Sequence, residues 1–202
     1  DLSNVHVVFY DGVNDIAHRC RSEIVGLSTG REKQIQNRLK EVKPHIYSFA
    51  MTFAQLYNFF ASITRRLGGD GSIERQLSEN LYDCSENHKR AAEVAQTLVR
   101  TWQIASDIVK SRGGKFTAIL QPVAFIGDAN YSYLNLNDDA FSQQYKSVYP
   151  LIIDTAKRSS LDFIDLTNVY DGCVDCYIDF CHVGPQAHQL LVDRIIADVN
   201  WD

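Results

Sequence analysis

The run Val5-His6-Val7-Val8-Phe9-Tyr10 carries β-branched and aromatic residues on both alternating faces, the pattern of a parallel strand covered by helices above and below. It predicts a first strand that stops at Asp11-Gly12. From Asp15 onward the apolar period turns helical, through Ile16 to Leu27, Arg31 to Val42 and Tyr47 to Leu67, until Gly68-Gly69-Asp70-Gly71 closes the block. A long amphipathic helix follows from Glu86 to Val109, with Ala91, Val94, Leu98, Trp102 or Ala105, and Ile108 at a period near 3.6. Gly113-Gly114 ends it. The second strand is Lys115 to Gln121, stopped by Pro122. A polar loop spans Gly127 to Asp139, and a helix runs from Asp139 to Arg158 across Pro150. The third strand is Phe163 to Leu166. The last helix runs from Pro185 to Val199, with Leu190, Leu191, Ile195, Ile196 and Val199 on its inner side.

Alternation of strands with helices predicts an α/β domain with a parallel sheet. Three strands are few for this length, and about 70 residues separate the first strand from the helix that leads to the second, far more than a normal βα connection. Residues 16–85 therefore read as a helical insertion beside the carboxyl ends of the strands, where α/β sites form, and in a position to act as a lid.

Composition narrows the class. The 202 residues are 45% hydrophobic and 22% charged, as expected of a single globular domain. A net charge of -5 and a pI near 5.7 argue against nucleic acid as a partner. No run approaches the 18 apolar residues of a membrane span, and the start lacks the regions of a signal peptide. The chain opens at Asp1 and enters a core-like strand almost at once, so upstream sequence is expected to be missing. The sequon Asn130-Tyr131-Ser132 tips the expected location toward the secreted or cell-envelope side. Five cysteines, Cys20, Cys84, Cys173, Cys176 and Cys181, leave at least one thiol without an internal partner, so a full disulfide framework is not expected.

Two stretches carry candidate chemistry. In Gly12-Val13-Asn14-Asp15 a buried strand ends in glycine and presents Asn14 at the entry to a helix, where its amide can donate to a developing oxyanion; the alternative is a capped turn. In Asp179-Phe180-Cys181-His182 a carboxylate lies three residues before a histidine. On a bent loop it can hold imidazole Nδ1 and leave Nε2 as a general base. The alternative is a structural histidine.

Taken together, in this order and topology, the two stretches resemble the SGNH family of GDSL-type esterases and lipases. Gly12-Val13-Asn14-Asp15 is similar to that family's third block, Gly-x-Asn-Asp, and Asp179 to His182 to its fifth, Asp-x-x-His. Leu120-Gln121-Pro122 and Phe163 to Leu166 resemble its fourth and fifth strands. The resemblance implies a three-layer αβα flavodoxin-like fold with a parallel sheet, here missing its first strands, and an insertion after the third-block strand. It implies a serine-dependent ester hydrolase in which His182 is the base, Asp179 orients it, Asn14 donates to the oxyanion, Gly12 makes the turn and Asp15 fixes the loop. Neither a metal nor a cofactor is implied. The first block, which holds the serine, and the second, which supplies a glycine N–H, are missing. In Gly69-Asp70-Gly71-Ser72 an extra glycine and the absence of a preceding strand make Ser72 a turn residue. An upstream segment of the same polypeptide is expected to fill the edge beside Val5 to Tyr10 and bring the serine. The implied partner is a small-molecule, glycan or lipid ester.

Other readings compete with this one. Cys173-x-x-Cys176 with Cys181-His182 has zinc-like spacing, although a local disulfide or free thiols are the more economical reading. The aromatic stretch Tyr47 to Ile63, followed by Arg65-Arg66, fits either core packing or a membrane-surface contact. A non-catalytic carbohydrate- or lipid-binding module on the same fold is the alternative from a different class.

Overall fold

The computed structural model describes residues 1–21, 82–136 and 139–201. The expected helices Arg31 to Val42 and Tyr47 to Leu67, the turn with Ser72 and the aromatic stretch Tyr47 to Ile63 lie outside the described residues. Described elements are β1 (His6–Asp11), α1 (Val13–Arg19), α2 (His88–Lys110), β2 (Lys115–Leu120), α3 (Ala140–Lys157), β3 (Phe163–Asp165) and α4 (Pro185–Asp198).

The three strands form a parallel sheet in the order β1-β2-β3. His6 pairs with Lys115 and Asp11 with Leu120, whereas Ala118 pairs with Phe163 and Leu120 with Asp165. The carboxyl ends of all three strands are thereby level. From Phe116 onward β2 is buried, as a central strand with both faces covered must be. Its side chains alternate between two cores. Phe116, Ala118 and Leu120 join the core built on α1, α2 and α3, with Ile16, Leu98, Trp102, Tyr145 and Ile152. Ile119 points the other way, toward Leu166, Tyr170, Val183 and the α4 residues Ala187 and Leu191. Helices thus cover both faces. Among the described residues β1 pairs on one side alone, and its Phe9 and Tyr10 remain 37% and 38% exposed.

Local signals explain the helix starts. Asn87 accepts from the Arg90 N–H ahead of α2, and Asp139 accepts from the N–H groups of Phe141 and Ser142 ahead of α3. Two inward faces differ from expectation. In α4, Leu190 and Ile196 are exposed, while Ala187, Leu191 and Val199 are buried and Ile195 is half-buried. Four-residue spacing makes a narrow stripe, and neighbours such as Leu190 and Leu191 lie about 100° apart, too far to share it. In α2, likewise, Ile108 faces solvent and Val109 the core.

Four of the five cysteines are paired, as Cys20–Cys84 and Cys173–Cys176, and Cys181 is free and buried. The local Cys173–Cys176 bridge was among the expected arrangements; Cys20–Cys84 was not. It closes the two stems of segment 22–81. Beside it, Arg21 and Tyr82 form an antiparallel bridge and the Asp83 N–H donates to Cys20 O at 3.1 Å. The Arg90 guanidinium, from α2, donates to Arg19 O (3.0 Å), Arg21 O (2.6 Å) and Asp83 Oδ2 (3.1 Å). The segment therefore leaves and re-enters the domain at one point.

Candidate functional site

Gly12 joins β1 to α1 with φ at 128°, a conformation that L side chains rarely adopt. A Cβ there would lie 2.7 Å from Leu120 Cδ1, so the corner sits directly on the end of β2. The backbone confirms this closeness: the Gln121 N–H donates to Asp11 O at 2.9 Å. The Asp11 carboxylate accepts from the Gly12 N–H at 2.8 Å, and burial, which outweighs that bond, raises its pKa. The tight corner places Asn14 in the first turn of α1, exposed, with no side-chain hydrogen bond among the described residues. Its amide is available to a ligand. Asp15, by contrast, is engaged along its own helix, 2.9 Å from Arg19 Nε.

The loop before α4 is pinched at its base, where the Gly184 N–H donates to Cys176 O (2.9 Å) and Tyr177 bridges to Val183. Within it the Ile178 N–H donates to His182 O at 2.7 Å. The resulting turn brings Asp179 Oδ2 to 2.7 Å from His182 Nδ1. The other carboxylate oxygen accepts from the N–H groups of Cys181 (2.9 Å) and His182 (2.8 Å). Burial alone would raise the Asp179 pKa, but these two backbone donors and the imidazole overcome it and hold the carboxyl below its usual value. An ionised carboxylate only accepts, so Nδ1 carries a proton, and in the neutral ring the lone pair then falls on Nε2. Nε2 makes no hydrogen bond among the described residues, and the histidine side chain is 73% exposed. That is the geometry of a general base held ready by its orienting acid.

Asn14 and His182 are not isolated from each other. Val13 and Cys181, their chain neighbours, belong to one buried cluster. The Phe180 carbonyl accepts from the Ala124 N–H at 2.8 Å, which ties the histidine loop to the segment that leaves β2. Both motifs therefore sit at the carboxyl edge of the sheet. A hollow of about 540 Å³ adjoins the loop, lined by the Cys173–Cys176 bridge, Gly184, Pro185 and Leu190.

The zinc reading is overturned, because Cys173 and Cys176 are bonded to each other and supply no thiolates. Asp179, Cys181 and His182 do bring three potential ligand atoms within 4.8 Å of one another. Yet burial, with the Asp179 charge adding to it, pushes the Cys181 thiol up to about 12, and Nδ1 is occupied by Asp179. A protonated thiol is a poor ligand and a poor nucleophile. Sequence reasoning missed Phe180, whose ring fills the space between Phe125, Phe141 and Tyr145 and so anchors the loop. Its place inside Asp-x-x-His was the available signal.

Comparison with protein-family models, with curated proteins and with solved structures finds no match.

Proposed function

We propose that the chain carries the acid–base and oxyanion parts of a serine-dependent ester hydrolase of SGNH type, on a three-layer flavodoxin-like sheet. The observation that carries this reading is the 2.7 Å contact of Asp179 Oδ2 with His182 Nδ1, which leaves Nε2 exposed at the carboxyl edge that also presents Asn14. Histidines paired through Nδ1 to a carboxylate serve as bases for hydroxyl nucleophiles on unrelated folds. The serine belongs on a further parallel strand beside β1, the side unpaired among the described residues.

In this mechanism His182 Nε2 takes the hydroxyl proton as the serine oxygen attacks the ester carbonyl. The Asn14 amide donates to the oxyanion of the tetrahedral intermediate, and Asp179 compensates the imidazolium. The imidazolium then protonates the departing alkoxide, and a water activated by the same nitrogen releases the acyl group. O-acetylated glycans, lipid esters and thioesters are the candidate substrates, with the insertion as the element that chooses among them.

A fluorophosphonate probe on the natural full-length polypeptide tests the reading, with ester hydrolysis measured beside it. Labelling of one serine is expected, together with a fall in kcat of roughly 10⁴-fold or more for His182→Ala. A folded protein that neither labels nor hydrolyses a panel of acetyl and longer acyl esters would make the domain a binding module instead.

A further inference from the structure

The candidate oxyanion donor and the candidate base come from opposite ends of the chain, and a single side chain touches the supports of both. Tyr145 lies on α3 and is fully buried. Its hydroxyl donates to Val13 O at 3.3 Å, and that carbonyl belongs to the peptide whose N–H is that of Asn14. Its ring packs against Phe180 with centroids 5.7 Å apart, between the Asp179 and His182 whose contact defines the site. Phe141 and Phe125 complete the seat, at 5.3 and 5.8 Å from Tyr145. One turn further along α3, Tyr149 performs the same service for β2, donating to Gln121 O at 2.8 Å. Residues four apart share a helix face, so α3 presents two phenols in a row to the sheet's carboxyl edge.

We infer that Tyr145 is a positioning residue that sets the location of Asn14 relative to His182. The hydroxyl fixes the Val13–Asn14 peptide, and the ring fixes Phe180 and through it the Asp179 turn. A plain core role for a tyrosine at this depth would be served by any ring of that size. Here the two ends of the side chain have different clients and can be separated by substitution. The catalytic meaning of the inference rests on the esterase reading; the coupling itself does not.

The test is heteronuclear NMR on the full-length protein, with esterase kinetics in parallel. Tyr145→Phe should move the backbone and side-chain amide signals of Asn14 and leave the His182 Nδ1–H signal in place, whereas Tyr145→Leu should move both. In kinetics Tyr145→Phe should lower kcat at unchanged KM, by up to about a hundredfold, the cost of an ångström's misplacement of a reacting group. Unchanged Asn14 signals in folded Tyr145→Phe overturn the inference, and this variant alone suffices if Tyr145→Leu does not fold. Shifts spread evenly over the core, the Trp102 indole included, also overturn it. Loss of the esterase reading shows differently, as absent fluorophosphonate labelling of the unsubstituted protein.

Discussion

Replacing Gly12 with alanine measures how tightly the β1–α1 corner is seated. Two costs add. The φ of 128° is foreign to a residue with a Cβ, and holding one there costs about 1–3 kcal/mol. The new methyl would also lie 2.7 Å from Leu120 Cδ1, and Leu120 is fully buried, with no solvent to retreat into. Overpacking of this kind costs a further 1–3 kcal/mol or so. Gly172 supplies the control. Its φ is also positive, at 71°, but nearer the left-handed region that L residues reach, and an added Cβ would meet nothing within 4 Å, so Gly172→Ala carries a smaller conformational cost and no overpacking. Differential scanning calorimetry of both variants should place Gly12→Ala below Gly172→Ala by at least about 1 kcal/mol, or some 2–4 °C or more in Tm for a domain of this size. Equal melting temperatures would refute the claim that the corner rests on β2. A wild-type Tm for Gly12→Ala would refute the conformational argument as well.

Three further outcomes follow from the same contacts. Removing the stem disulfide with Cys20→Ala/Cys84→Ala should cost about 2–4 kcal/mol in urea unfolding, since the bridge closes a long loop; a change below about 1 kcal/mol would contradict that. Native Cys181 should resist iodoacetamide at pH 8 and take up one alkyl group only after unfolding without reductant, because its thiol is buried and its pKa is pushed up to about 12; prompt native labelling would count against it. Because Asp179 titrates lower folded than its usual 3.8, its contribution to stability is complete above that pH and is lost as the pH falls through the folded value; a carboxyl-carbon NMR midpoint at or above 3.8 would reverse the sign.

The strands were legible because β1 and β2 are short apolar runs punctuated by glycine or proline and β3 is a short apolar run between polar residues, and their observed ends fall within one residue of those expected from sequence. The α4 face was misread because adjacent apolar residues, Leu190-Leu191 and Ile195-Ile196, invite a broad stripe where the packing uses a narrow one. Of the site, the Asp179 and His182 contact is local, three residues apart, so its geometry was derivable. The links that place the two motifs are not local. Tyr145 reaches Val13 across 132 positions, and nothing in the periodicity of α3 distinguishes a phenol that ties a loop from one that fills a core. The Cys20–Cys84 pairing was illegible for the same reason, as connectivity does not follow from spacing.

Helix α1 gives the corner and the stem a common mechanical origin. It has seven residues, a length of about 10 Å at the standard helical rise. Asn14 stands in its first turn, and its C-cap is Cys20, the half of the disulfide that anchors segment 22–81. At the same end Arg19 holds Asp15 through its side chain and gives its carbonyl to Arg90. A rotation of α1 would thus have to break the Gly12 seat on β2 at one end, or the disulfide and the Arg90 hydrogen bonds at the other. The first end is tied to β2 by the hydrogen bond from the Gln121 N–H to Asp11 O, and the second is covalent. The stem of segment 22–81 is therefore held in register with Asn14 by a rod two turns long.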